Sequence, residues 1–151
     1  MEKYDITKPM KIPVGMHKLN GEPGISFQLN RLVNMDGCDL SVAKEIGPTI
    51  KSTSDFYNVL KTRADKELEN GHIKNAAALY RMSEFYTDWE DADGLAAWKK
   101  ARELFFRYYA DFFSGERPIV ELINVPYEGY TMPVLKFNAE SAKGTIVMHG
   151  G

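Results

Sequence analysis

The sequence predicts a mainly α-helical part followed by three β-strands, and three observations predict it. Apolar residues recur at helical spacing from Ile25 to Phe112. After Pro118 the period changes to an extended one, rich in branched residues. Gly, Pro and Asn punctuate the periodic runs where the chain must break.

The first residues, 1–24, are rich in Pro, Gly and Lys and read as turns and an extended arm ending at Asn20-Gly21-Glu22-Pro23-Gly24. Ile25, Leu29, Leu32 and Val33 then share one helical face, and a short helix over Leu40 to Ile46 is closed by Gly47-Pro48. Ser52 with Asp55 three residues on reads as a capping box. Behind it Phe56, Val59, Leu60, Ala64 and Leu68 form the stripe of a helix that stops at Asn70-Gly71. The next helix is expected from Ile73 to Trp89, with Ile73, Ala76, Ala77 and Tyr80 inward and small alanines allowing close approach. A third long helix starts at Asp91 or Asp93, whose carboxylates suit the positive helix end, and is expected to run to Ser114-Gly115. Its rings, Trp98, Phe105, Tyr108, Tyr109, Phe112 and Phe113, exceed one narrow stripe, which implies neighbours on two sides.

Ile119 to Val125 reads as a strand, Tyr127-Glu128-Gly129-Tyr130 as a hairpin turn and Thr131 to Phe137 as the returning strand. After the polar loop Asn138 to Gly144, Thr145 to Met148 reads as a wholly apolar strand covered on both faces. Such a strand needs partners, so the expected sheet is the front part of a larger one, completed by residues further on. The domains expected are an arm over 1–24, a helical domain over 25–115 and the start of a sheet domain over 116–151.

Composition narrows the function. With 19 basic and 21 acidic residues, and a net charge of −2, no basic field exists to gather phosphates, so nucleic acid is not an expected partner. No apolar run is long enough for a membrane span or a signal peptide, which makes the cytoplasm the default location. The single cysteine, Cys38, rules out a disulfide framework or a Cys-based zinc site within the chain.

The segment Val125-Pro126-Tyr127-Glu128-Gly129-Tyr130-Thr131-Met132-Pro133, followed by Thr145-Ile146-Val147-Met148-His149-Gly150-Gly151, resembles the opening strands of an α/β-hydrolase. The helical block ahead of it, with YRMSEFY at 80–86 and AWKKARELFFRYY at 97–109, is similar to the N-terminal helical cap of one branch of that family. That branch holds dipeptidyl-aminopeptidase-like, acylaminoacyl-peptidase-like and carbon-carbon bond hydrolases. The resemblance implies a serine-type hydrolase cleaving an ester, an amide or peptide, or an activated carbon-carbon bond. It implies a small acyl or peptide-like substrate, no cofactor, no metal and a possible homodimer. It also implies that some cap rings roof the substrate pocket. Finally, it implies that the N–H groups of His149, Gly150 and Gly151 line an oxyanion hole, with His149 orienting the loop rather than acting as base. Glycine lets backbone approach the substrate closely, and one lost oxyanion donor costs on the order of 3 kcal/mol.

Such an enzyme carries its serine in G-x-S-x-G, and none occurs here. Gly24-Ile25-Ser26-Phe27-Gln28 lacks the second glycine and reads as a helix entry. Nucleophile, acid and base are therefore expected beyond residue 151, with none of the catalytic triad in this chain and no turnover from it alone. The acidic cluster Asp88, Glu90, Asp91, Asp93 fits helix capping better than a calcium loop. His17 and His72 lack metal-ligand spacing and read as surface histidines. The competing reading is a tetratricopeptide-like helical partner-binding module without catalysis. It draws on the pattern of Ala64, Gly71, Ala76, Ala77 and Tyr80, although no second copy follows at the period of about 34 residues that such repeats have.

Overall fold

The computed structural model describes residues 15–35 and 37–149. The chain divides into two compact units, Met1–Tyr108 and Tyr109–Gly151.

The first unit is helical. Helix α1, Pro23–Asn34, starts as physical chemistry prefers: Pro23 needs no N–H partner, and the Glu22 carboxylate accepts from Ile25 N–H at 2.6 Å. Ser26 lies within it, as expected of a helix entry. Helix α2, Leu40–Ile46, has the bounds expected of it and leads into a 3-10 turn over Gly47–Thr49. The arm is pinned to this region by side chains. Asn30 brackets His17, accepting from its N–H at 2.7 Å and donating to its carbonyl at 2.8 Å. Asn20 Nδ2 donates to Gly47 O at 2.7 Å and Ile50 O at 2.9 Å. The approach is so close that a Cβ on Gly47 would lie 2.1 Å from Leu19 O, so only glycine fits.

Helix α3, Thr53–Glu69, takes Ser52 as N-cap, whose hydroxyl accepts from Asp55 N–H at 3.3 Å. The reciprocal half of the box is displaced by one residue, with Asp55 Oδ2 accepting from Lys51 N–H at 3.2 Å. Gly71, at φ +79°, ends α3 in a Schellman turn: Gly71 N–H donates to Leu68 O at 3.0 Å and His72 N–H to Glu67 O at 2.9 Å.

Helix α4, Ile73–Ser83, is shorter than its sequence suggests, because Trp89 was expected to end it. Ser83 Oγ donates to Tyr80 O, and both N–H and Oγ1 of Thr87 donate to Glu84 O. These side chains compete for the ladder carbonyls and tighten the chain into a 3-10 turn over Glu84–Tyr86. Helix α5, Ala92–Tyr108, is capped by Asp91, whose Oδ1 accepts from Gly94 N–H at 2.8 Å. Capping is therefore one role of the acidic cluster.

Helix α4 packs on α3 and on α5, and α1 packs on α2 and α4. Ile25, Leu29 and Val33 of α1, Phe56, Leu60 and Ala64 of α3, Ala76 and Leu79 of α4, and Ala97, Ala101 and Leu104 of α5 form one continuous buried core. The alanines at the α4 and α5 contacts let the helices approach closely.

The second unit opens with a 3-10 turn over Ala110–Phe113, where a continuation of the third long helix to Ser114-Gly115 was expected. Strands β1, Val120–Tyr127, and β2, Tyr130–Phe137, pair antiparallel with Val120 opposite Phe137 and Tyr127 opposite Tyr130. Glu128 and Gly129 both take positive φ, 45° and 82°, as a two-residue hairpin turn requires. Such a turn closes on a hydrogen-bonded pair, and alternation then places Pro126 and Pro133 at non-hydrogen-bonded positions, where a missing N–H costs the ladder nothing. At the open end Asn138 N–H donates to Ile119 O at 2.9 Å, and its side chain donates to Pro118 O and Glu121 Oε1.

The expected fold class, a helical cap followed by the first three strands of an α/β-hydrolase sheet, is corrected here. Among the described residues the sheet has two strands, antiparallel, and Thr145 to Met148 is not a third. β-structure is a property of pairs, and this segment pairs with no described strand, so its apolar residues stand in solvent: Ile146, Val147 and Met148 are 87–88% exposed.

Candidate functional site

His149, the first of the three residues expected to line an oxyanion hole, lies exposed in the irregular segment after β2. Gly150 and Gly151 lie outside the described residues. Two of the rings expected on the third long helix, Trp98 and Phe105, lie on the outer face of α5. Ala97, Ala101 and Leu104 form the inner face of α5, while Leu95, Trp98 and Phe105 form an outer stripe, each more than one third exposed.

The most elaborate polar constellation among the described residues was not foreseen, and it centres on Glu67. The sequence places this carboxylate on the inner face of α3, in the series Phe56, Leu60, Ala64, Glu67, and only 3% of it is exposed. A charge there requires donors, and three elements supply them. Arg63 Nε, one turn back on α3, donates at 2.7 Å. His72 Nδ1, in the turn, lies at 2.8 Å, and Asn75 Nδ2, on α4, donates at 3.2 Å. Burial by itself would raise the Glu67 pKa, but the bonds from Asn75, Arg63 and His72 outweigh it and hold the carboxyl below its ordinary range. Asn75 also donates to Asp39 Oδ2 at 3.0 Å and accepts from Asp39 N–H at 3.2 Å, while Arg63 Nη1 reaches Glu45 at 2.6 Å. The cluster thus ties the start of α2 and the whole α3–α4 turn together.

Beside it lies a cavity of about 280 Å³, lined by Asp39, Gly71, His72, Ile73, Lys74, Asn75 and Tyr108. His72 is the surface histidine its surroundings suggested, its side chain 61% exposed, and its Nδ1 is held by Glu67 besides. A carboxylate only accepts, so Nδ1 carries the hydrogen of this bond. The described lining holds no Ser, Thr or Cys for that ring to deprotonate. The arrangement orients an imidazole and secures a turn; it does not make a triad. Cys38, nearby in sequence, is buried, and desolvation together with Asp39 and Glu67 pushes its thiol up to about 12, so it is no thiolate nucleophile.

His17, by contrast with His72, departs from its surface reading: it is half-buried, with Nε2 enclosed. Among the described residues no group of three or more His, Cys, Asp or Glu is placed to hold a metal, and no helix is long and apolar enough to cross a membrane. No protein-family model matches the chain, and neither does a curated protein or a solved structure.

Proposed function

We propose that this chain serves a serine-type hydrolase, cleaving an ester, an amide or peptide, or an activated carbon-carbon bond of a small acyl or peptide-like substrate. The observation that carries the reading is the order of three features: a helical block, the Val125-Pro126-Tyr127-Glu128-Gly129-Tyr130 hairpin, and the apolar run into His149-Gly150-Gly151. In this reading the N–H groups of His149, Gly150 and Gly151 stabilise the tetrahedral oxyanion, and the helical unit covers the substrate. Nucleophile, acid and base come from outside these residues, the enzyme works in the cytoplasm, and two copies associate. Exposed rings on the outer stripe of α5 suit a covering role, being apolar and rigid.

The test uses the polypeptide that carries these residues together with whatever follows them. It should react with an active-site serine probe and hydrolyse short acyl esters, and Gly151→Pro, which deletes one N–H, should lower kcat by about 10²- to 10³-fold. Residues 1–151 alone should show no turnover. A folded, complete protein inert to the probe and to the esters overturns the reading.

A second reading, a helical partner-binding module, draws on the same stripe of Leu95, Trp98 and Phe105. It gains if the helical unit captures a peptide through that face while the full polypeptide stays inert to the serine probe.

A further inference from the structure

The chain contains two Asn-Gly pairs, Asn20-Gly21 and Asn70-Gly71, and the structure treats them in opposite ways. Asn-Gly is the dipeptide most open to spontaneous loss of ammonia, because glycine puts no side chain between the backbone nitrogen and the preceding carboxamide carbon.

At Asn20 the side chain is held on every polar atom: Nδ2 donates to Gly47 O and Ile50 O, and Oδ1 accepts from Glu22 N–H at 2.7 Å. The carboxamide cannot swing toward Gly21 N without breaking all three bonds. At Asn70 the opposite holds. The residue is exposed at the end of α3, and no described residue bonds its side chain; only its backbone N–H is used, toward Lys66 O and Leu68 O. One bond restrains the attacking atom, Gly71 N–H to Leu68 O at 3.0 Å, and none holds the carboxamide it would attack.

We propose that Asn70 is a site of spontaneous deamidation and that Asn20 is protected from it by the fold. The amide nitrogen of Gly71 attacks Cγ of Asn70, a C–N bond forms, and the bond from Cγ to Nδ2 breaks. The nitrogen's proton passes to solvent and the departing group leaves as ammonia. Water then opens the cyclic imide at either carbonyl, giving aspartate or isoaspartate. Both products bear on the cluster around Glu67. Aspartate sets a new negative charge at the negative end of α3, one residue from Glu69. Isoaspartate adds a methylene to the turn whose geometry brings His72 onto Glu67.

The experiment ages the folded protein at mildly alkaline pH and follows both sites by peptide mass and isoaspartate detection. A parallel sample is kept unfolded in urea. In the folded protein Asn70 should react at least about tenfold faster than Asn20, since disrupting even one or two of the three bonds at Asn20 costs that factor. In urea the two rates should converge, showing that the contrast comes from the fold. Equal rates at the two sites in the folded protein, or an intact Asn70 there with reaction in urea, overturns the proposal. Asn70→Gln should abolish the signal at that site without altering Asn20.

Discussion

Glu67 shows how a single residue organises its surroundings. A buried carboxylate with three donors is costly to leave half-paired, so the arrangement is close to all-or-none. Its folded pKa is lowered, so the stability it contributes is fully present above the unfolded value of 4.5 and is lost as pH falls through the folded value. Asp65 adds to the trend: burial raises its pKa, but bonds from Lys61 and Tyr80 hold it below 3.8. Acid should therefore shift the denaturant midpoint downward once pH drops below about 4.5, the unfolded value of Glu67. Glu67→Gln should cost about 2–4 kcal/mol at neutral pH, and the variant's acid-side slope should flatten. Denaturant unfolding at several pH values checks both. A variant as stable as the parent would mean the cluster is ornamental.

At the scale of elements, α5 separates two kinds of leucine. Leu104 is fully buried on the inner face, whereas Leu95 is 48% exposed on the outer stripe. Leu104→Ala should cost about 2–5 kcal/mol and Leu95→Ala no more than about 0.5 kcal/mol, measured by chemical unfolding of the whole chain. Most helices were legible in the sequence because their signals are local: the stripe of Phe56, Leu60 and Ala64, the Ser52 cap and the Gly71 stop act within a few residues. The early end of α4 was not, since it depends on which carbonyls Ser83 and Thr87 select once the chain has turned. Glu67 was legible only in part. A carboxylate on the inner face signals a buried charge, but its partners lie on three elements, and periodicity does not say which elements meet. The hairpin was readable from Glu128-Gly129, whose positive φ values suit a two-residue turn. Thr145 to Met148 misled for the reverse reason: apolarity states what a segment needs, not what it finds.

For the molecule as a whole, the two units differ in how their apolar residues are housed. The helical unit has a continuous buried core beneath its exposed outer residues, while the second unit buries Val120 but leaves Leu122, Ile123, Val125, Met132, Val134, Leu135 and Phe137 more than one third exposed. Replacing the cross-strand partners Ile123 and Val134 by Thr should reduce binding of an environment-sensitive apolar dye while leaving the helical far-ultraviolet signal unchanged. Unaltered dye binding would place the accessible apolar surface elsewhere. A bare ribbon of this kind is an invitation to endless stacking, and Pro126 and Pro133 answer it. Both sit where the absent N–H would have pointed outward, one on each edge. Each edge therefore carries a gap in its row of donors, and a newcomer strand laid across that gap must leave a carbonyl unmatched. Identical ribbons stacked in register would repeat the mismatch at every layer, which disfavours fibril growth, whereas a single dissimilar strand can shift past the gap.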